Sequence, residues 1–143
     1  MILLDTSVLS LAFRRRGREG AEPDAVASLQ RLIEEDVELA VPGIVVQELL
    51  SGLRSESEFA RLEDRLSGFR VLLADEEAHR SAARLANACR AAGIAASTVD
   101  CLIAAQALES GAALFTLDAD FKTMATRCPI ELFTSPSRNE EQQ

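Results

Sequence analysis

Acidic residues follow or precede short apolar runs at several points in this 143-residue chain. The clearest case is the stretch 99–121, VDCLIAAQALESGAALFTLDADF. Asp100 precedes an almost wholly apolar run, and a second run, Ala113–Thr116, leads into Asp118 and Asp120. The polar and glycine residues between the runs predict a helix, a turn and a strand. Carboxylates are therefore expected at the start of the helix and just past the end of the strand.

The chain opens in a similar way, because the apolar run Met1–Leu4 is followed at once by Asp5. The carboxyl ends of parallel strands meet at one edge of a sheet, and open α/β folds bind their ligands at that edge. The sequence therefore predicts a cluster of carboxylates at the carboxyl edge of a parallel sheet.

Apolar runs of strand length alternate with segments of helical periodicity along most of the chain. This alternation predicts one α/β domain with three layers, in which helices flank a central parallel sheet of about five strands. We expect the domain to span residues 1–133 and the polar segment 134–143 to be disordered. Strands are predicted at 1–4, 37–41, 69–73, 113–116 and 130–133, and helices at 7–13, 24–35, 44–53, 55–66, 75–92, 100–108 and 120–125.

Composition limits the partners and the compartment. The net charge of −8 argues against a broad nucleic-acid surface, although site carboxylates in a nuclease would contribute to it. Arg14, Arg15 and Arg16 form a local basic cluster, which is either a surface that contacts phosphate groups or a solvated loop. No secretory or membrane segment is evident, and the three cysteines lack metal-ligand spacing. We therefore expect reduced cysteines and a cytoplasmic protein.

Four acidic positions are candidates for one site: Asp5, Glu48, Asp100 and Asp118. Clustered carboxylates repel unless a cation is present or some are protonated. Oxygen ligands without a nearby histidine or cysteine favour Mg²⁺ or Mn²⁺ over zinc. Such an ion can activate water for attack on a phosphodiester. Each acid also has a structural interpretation: as a helix cap or turn residue, as a surface acid, or as a charge stabilised by a helix dipole.

Three segments carry a resemblance to a known family. In order, they are ILLDTSVLSLAF, VPGIVVQELLSGL and VDCLIAAQALESGAALFTLDADF. Together they resemble the PIN domain, specifically the VapC-type toxin ribonucleases of bacterial type II toxin–antitoxin pairs. The resemblance spans Met1 to about Phe133. It implies that the four acids bind Mg²⁺ or Mn²⁺, with Asp120 as a rival or partner of Asp118.

The resemblance implies further roles. Thr6 and Thr116 would hold site carboxylates or a metal-bound water by hydrogen bonds, and Glu48 or Asp118 would help to activate the attacking water. The expected substrate is RNA, including structured RNA such as tRNA. The expected partners are a second copy of the chain and a small VapB-like antitoxin.

Two other function classes stay open at this point. One is a PIN-like module that binds RNA or a protein without cutting, and the other is an acid-cluster phosphatase. The absence of a glycine-rich phosphate loop excludes P-loop and dinucleotide-binding proteins. Ser7 stands where a haloacid-type phosphatase would have its second aspartate. His79, the single histidine, is predicted to lie on a helix surface, so a histidine general base is not expected.

Overall fold

The computed structural model describes residues 1–14 and 23–135. These residues form five strands and seven helices that alternate as predicted. The strands are β1 (Ile2–Leu4), β2 (Leu39–Pro42), β3 (Arg70–Leu72), β4 (Ala113–Phe115) and β5 (Glu131–Leu132). The helices are α1 (Thr6–Arg14), α2 (Pro23–Glu34), α3 (Gly43–Leu50), α4 (Glu56–Leu66), α5 (Glu76–Ala91), α6 (Thr98–Ser110) and α7 (Ala119–Ala125).

All five strands belong to one sheet, in the order β3-β2-β1-β4-β5, and every neighbouring pair is parallel. This confirms the predicted α/β architecture. Strand β1 lies at the centre, with β2 on one side and β4 on the other. Leu4 pairs with Phe115 at the carboxyl ends of β1 and β4, and the Asp5 amide donates to the Phe115 carbonyl at 3.0 Å. The residues that follow these two strands therefore lie side by side.

The core consists mostly of leucine, valine and alanine, in keeping with the 4% aromatic content of the chain. The central strands supply fully buried side chains from Leu3, Leu4 and Leu114. Helix α6 lies deep in the fold, because only Thr98 and Glu109 of its 13 residues are exposed. Its fully buried residues are Cys101, Ile103, Ala104, Ala105, Gln106 and Ala107. The small side chains of the three alanines and Cys101 allow this helix to pack closely against its neighbours, which fixes the position of its first turn.

Helix caps define the ends of several helices. Helix α6 begins at Thr98, two residues before the predicted start, because the Ser97 side chain accepts the Asp100 amide at 3.0 Å. At the start of α4, the Ser55 side chain accepts the Glu58 amide at 3.1 Å. Gly93, at φ 74°, follows α5 in the left-handed conformation typical of helix ends.

The third strand is an edge strand and is shorter than the apolar pattern predicts. Its pairing with β2 ends at Leu72, although the apolar run continues to Leu73. Val71 is 44% exposed and Leu73 is 78% exposed. An apolar run alone does not distinguish a central strand from an edge strand, which explains the difference.

Some predictions fall on parts of the chain that are not described. Arg15 and Arg16 lie outside the described residues, as do residues 136–143 of the predicted tail, and Arg14 is described only as the last residue of α1. Within residues 1–14 and 23–135, no helix has the length and apolar character needed to cross a membrane. The three cysteines are buried and form no disulfide.

Candidate active site

Asp5 is placed directly after β1 and is almost completely buried, with 5% of its surface exposed. Its Oδ2 atom accepts two hydrogen bonds, from the Thr116 hydroxyl at 2.7 Å and from the Ser7 hydroxyl at 2.8 Å. Both donors are hydroxyls, and no main-chain amide in the described part of the chain donates to this carboxylate. A helix-capping role therefore does not explain the burial of Asp5.

The turn after β4 is tied to the same carboxylate through main-chain amides. The Thr116 hydroxyl oxygen accepts the Asp118 amide at 3.0 Å. The Ser7 hydroxyl oxygen accepts the Leu117 amide at 2.9 Å. The two hydroxyls thus connect the end of β1 to the segment that presents Asp118.

Asp118 and Asp120 lie where this turn enters α7. The Asp118 side chain caps the helix by accepting the Asp120 amide at 2.9 Å. Asp100 lies in the first turn of α6, whose N-cap is Ser97. One carboxylate oxygen from each of Asp100, Asp118 and Asp120 lies within 4.8 Å of the other two. We call these three residues the acidic trio.

Asp5 is linked to the acidic trio through Thr116, whose hydroxyl donates to Asp5 and accepts the Asp118 amide. Burial raises the pKa of Asp100, and the negative charges of Asp118, Asp5 and Asp120 raise it further, in that order of strength. A hydrogen bond with the Ser97 side chain opposes the shift and lowers this pKa. The folded protein therefore holds Asp100 in an environment that penalises its ionised form unless a positive charge is near.

Glu48 takes a different position from the other acids. It lies on α3 and is exposed, and its Oε1 atom accepts the Thr6 hydroxyl at 3.0 Å. Thr6 directly follows Asp5, so this hydrogen bond connects α3 to the end of β1. Glu48 is nevertheless not one of the acidic trio.

Ser7 is the residue with a role at this site that the sequence pattern did not reveal. The sequence pattern placed it at the start of a predicted helix and gave it no part in the site, yet its side chain contacts Asp5 and the turn after β4. Its position two residues after Asp5 was a local signal that could have indicated the first contact. Its bond to Leu117 spans 110 residues of sequence and could not be read from local spacing.

The chemistry of the donors fits a hard divalent cation. The atoms that converge are carboxylate oxygens, the ligands that Mg²⁺ and Mn²⁺ prefer. A divalent cation would also relieve the repulsion between Asp100 and the neighbouring carboxylates. Such a cation therefore matches both the oxygen ligands and the negative charge at this edge of the sheet.

A family model described as "PIN domain" matches residues 2–126. The chain belongs to the PIN domain family. This confirms the resemblance carried by the three sequence segments. The matched range includes every acid discussed above, from Asp5 to Asp120.

Curated relatives of this PIN domain are named VapC ribonucleases. Ribonuclease VapC11 from Mycobacterium tuberculosis is 35% identical over 128 residues, which cover 87% of this chain and 92% of the relative. Ribonuclease VapC19 from the same species is 37% identical over 116 residues, which cover 81% of this chain and 87% of that protein.

Solved structures share the fold over nearly their whole length. FitAcB from Neisseria gonorrhoeae superposes with a TM-score of 0.73 at 27% identity, covering 94% of this PIN domain and 98% of that chain. VapBC2 from Rickettsia felis, solved with a DNA fragment from its promoter, has a TM-score of 0.73 at 20% identity, covering 93% and 98%. The second likeness concerns the fold alone.

Proposed function

We propose that this PIN domain is the toxin of a VapBC-type toxin–antitoxin pair and acts as an endoribonuclease that depends on Mg²⁺ or Mn²⁺. The family and the named VapC ribonucleases support hydrolysis of RNA phosphodiester bonds. The observation that carries the metal dependence is the convergence of the acidic trio beside Asp5 at one edge of the sheet. The relatives favour this function over a binding module that does not cut.

Asp5, Asp100 and Asp118 are the residues that we assign to the cation. Of the two acids that follow β4, we prefer Asp118 over Asp120 as a ligand of the cation, because the charge of Asp118 acts more strongly on Asp100. Asp120 then lies beside the cation site without being assigned as a ligand. A bound divalent cation supplies positive charge that offsets these carboxylates and stabilises the charge that develops on the phosphate.

Glu48 has a separate role in this proposal. Its exposed side chain is held on one oxygen by Thr6, and it lies outside the acidic trio. This placement suits a carboxylate that orients or deprotonates water better than one that binds the cation directly. Thr6 and Thr116 then act as supports for Glu48 and Asp5, through the hydrogen bonds described above.

The proposal also covers the binding partners of the protein and its location in the cell. Neighbouring structures are described as VapBC and as a toxin–antitoxin complex, which supports a VapB-like antitoxin as a partner. The proposal also includes a homodimer, an RNA substrate such as tRNA, and contacts from Arg14, Arg15 and Arg16 to RNA or antitoxin. The three buried, unpaired cysteines are consistent with the proposed cytoplasmic location.

A cleavage assay with a matched inactive variant tests this function. Purified protein is incubated with end-labelled tRNA in Mn²⁺, in Mg²⁺ or in EDTA, beside Asp100→Asn protein purified in the same way. We expect internal cuts that need the metal and are absent from the variant. A mock purification from cells that lack the gene controls for contaminating nuclease, and cleavage of equal strength by the variant would remove Asp100 from the site. Hydrolysis of p-nitrophenyl phosphate without any RNA cleavage would overturn the proposal in favour of a phosphatase.

A further inference from the structure

Two hydroxyl groups converge on a single oxygen of Asp5. A hydroxyl has one proton to donate and lone pairs that accept. Ser7 and Thr116 both direct that proton to Asp5 Oδ2 and accept a main-chain amide in return, from Leu117 and Asp118 respectively. The single donor of each hydroxyl and one of its lone pairs are therefore committed to the site.

This assignment also explains a third, longer contact. The Ser7 and Thr116 hydroxyl oxygens lie 3.4 Å apart. Since each proton is already directed to Asp5, this distance results from the convergence of two donors on one acceptor. Among residues 1–14 and 23–135, none donates a hydrogen bond to Asp5 Oδ1. The carboxylate is thus fixed in rotation with one oxygen occupied and the other available.

We propose that Ser7 is a positioning residue for the nuclease reaction. It holds the Asp5 carboxylate so that Oδ1 is the oxygen presented to a divalent cation. It also holds Leu117 so that Asp118 stays beside Asp100. This inference rests on the proposed function, since it assigns Ser7 a role at that same site.

Ser7 and Thr116 do not duplicate one another. Thr116 immediately follows β4; it accepts the amide two residues ahead in its own turn and donates across the sheet edge to Asp5, which precedes α1. Ser7 belongs to α1 and bonds an amide across the sheet edge. Of the two hydroxyls, Ser7 is therefore the one that links α1 to the turn carrying Asp118.

The test compares three variants in Mn²⁺ binding and in cleavage. Ser7→Ala removes the hydroxyl, Ser7→Thr restores it, and Ser10→Ala is a matched control on the same helix. Mn²⁺ binding is measured by calorimetry on the RNA-free protein, and cleavage is measured as kcat and KM for tRNA at saturating Mn²⁺. Removal of a group that orients a metal ligand typically costs about 10–100-fold in metal affinity or activity. We expect a loss of that size in Mn²⁺ affinity for Ser7→Ala.

The other readouts separate positioning from a structural role. The KM for RNA should stay near the wild-type value in Ser7→Ala, Ser7→Thr should recover most of the affinity, and Ser10→Ala should match the wild type. Wild-type Mn²⁺ affinity in Ser7→Ala, or equal loss in Ser7→Ala and Ser7→Thr, would overturn the inference. If Ser7→Ala does not fold, Ser7→Cys fills the space with a weak donor and is expected to show the same loss.

Failure of the inference differs from failure of the proposed function. If wild-type protein neither binds Mn²⁺ nor cuts RNA, the function itself is wrong and the inference falls with it. If the wild type does both and Ser7→Ala is indistinguishable from it, only the role of Ser7 is wrong.

Discussion

The acidic edge of the sheet has two halves that are built differently. Asp5 is buried, and two neutral hydroxyls donate to its carboxylate. Asp100 is half-buried beside Asp118 and Asp120, and its pKa is raised by burial and by the neighbouring negative charges. Hydroxyl donors orient a carboxylate without changing the net charge, whereas clustered carboxylates repel each other.

The difference indicates what each half needs in order to be stable. Hydrogen bonds from Ser7 and Thr116 hold the Asp5 carboxylate in place. The negative charges of Asp100, Asp118 and Asp120 remain uncompensated unless a cation binds. Removing a charge from either half should stop the reaction. In the metal-free protein, removal of the Asp100 charge should relieve more repulsion than removal of the Asp5 charge, because burial and three neighbouring charges act on Asp100, whereas Asp5 supplies only one of those three charges. The following experiments test that contrast.

The largest effect is expected from Asp5→Asn and Asp100→Asn. Loss of a carboxylate ligand weakens binding of the cation, whose charge stabilisation in the transition state is worth several kcal/mol. Since about 1.4 kcal/mol corresponds to tenfold in rate, loss of about 3–4 kcal/mol costs about 10²–10³-fold. We expect RNA cleavage to fall by at least that much in both variants, with folding retained because asparagine keeps the shape of the side chain. Cleavage rates are compared at equal concentrations of folded protein, checked by circular dichroism. Near wild-type cleavage by either variant would remove that residue from the site.

A smaller and unequal effect is expected from Asp118→Asn and Asp120→Asn. Asparagine caps a helix about as well as aspartate, so α7 should remain intact in Asp118→Asn. We expect a loss of about 100-fold for Asp118→Asn and of less than about 10-fold for Asp120→Asn, within the range known for groups around a metal. A larger loss of cleavage in Asp120→Asn than in Asp118→Asn would assign Asp120, and not Asp118, to the cation.

Removal of the hydrogen bond between Thr6 and Glu48 should lower the rate of RNA cleavage moderately. Thr6→Val keeps the side-chain shape but removes the hydroxyl that donates to Glu48. Loss of such a supporting hydrogen bond is expected to lower kcat by about 10-fold. The double variant with Glu48→Gln should be no worse than Glu48→Gln alone, because Thr6 acts through Glu48. Additive losses would mean that Thr6 has an independent role.

Metal binding should raise the thermal stability of the wild type. Ligand at 100 times its Kd adds about 2.7 kcal/mol to the free energy of unfolding. For a domain of this size, that corresponds to a Tm increase of about 5–10 °C. Differential scanning fluorimetry in EDTA and in Mn²⁺ measures the shift. Asp100→Asn should show much less of it, whereas an equal shift in both proteins would place the cation elsewhere.

The smallest effect concerns stability without metal. A raised pKa means that folded Asp100 holds its proton more tightly than the unfolded chain does. Ionising Asp100 therefore costs stability as pH rises from the unfolded value, about 3.9, through the folded pKa. In EDTA at pH 7, Asp100→Asn should melt higher than the wild type, and the gap should close near pH 4. Asp5→Asn should show a smaller gain, because it removes only one of the three charges that act on Asp100. A gain as large as that of Asp100→Asn would erase the contrast between the two halves.

The main features of the fold follow from the order of apolar runs and acids. Asp5 and Asp118 could be placed at one edge because each comes just after a strand, and parallel strands align their carboxyl ends. Helical periodicity predicts the face of α3 on which Glu48 lies, but not the partner of its side chain. Its bond to Thr6 is a tertiary contact that joins residues 42 positions apart, so no local pattern encodes it.

Two further features depend on the folded structure as a whole. The exposure of Val71 arises because β3 is at the edge of the sheet, and strand order is set by packing that an apolar run does not specify. The role of Ser7 depends on which turn lies beside α1, which becomes definite only once β1 and β4 are paired.

The most direct measurement of the central claim is the anomalous scattering of manganese in crystals of the wild-type protein grown with Mn²⁺. The proposed site predicts a peak in contact with carboxylate oxygens of Asp5, Asp100 and Asp118, and no peak there in Asp100→Asn crystals grown in the same way. A wild-type crystal with these carboxylates apart, or with manganese bound only at other surfaces, would contradict it.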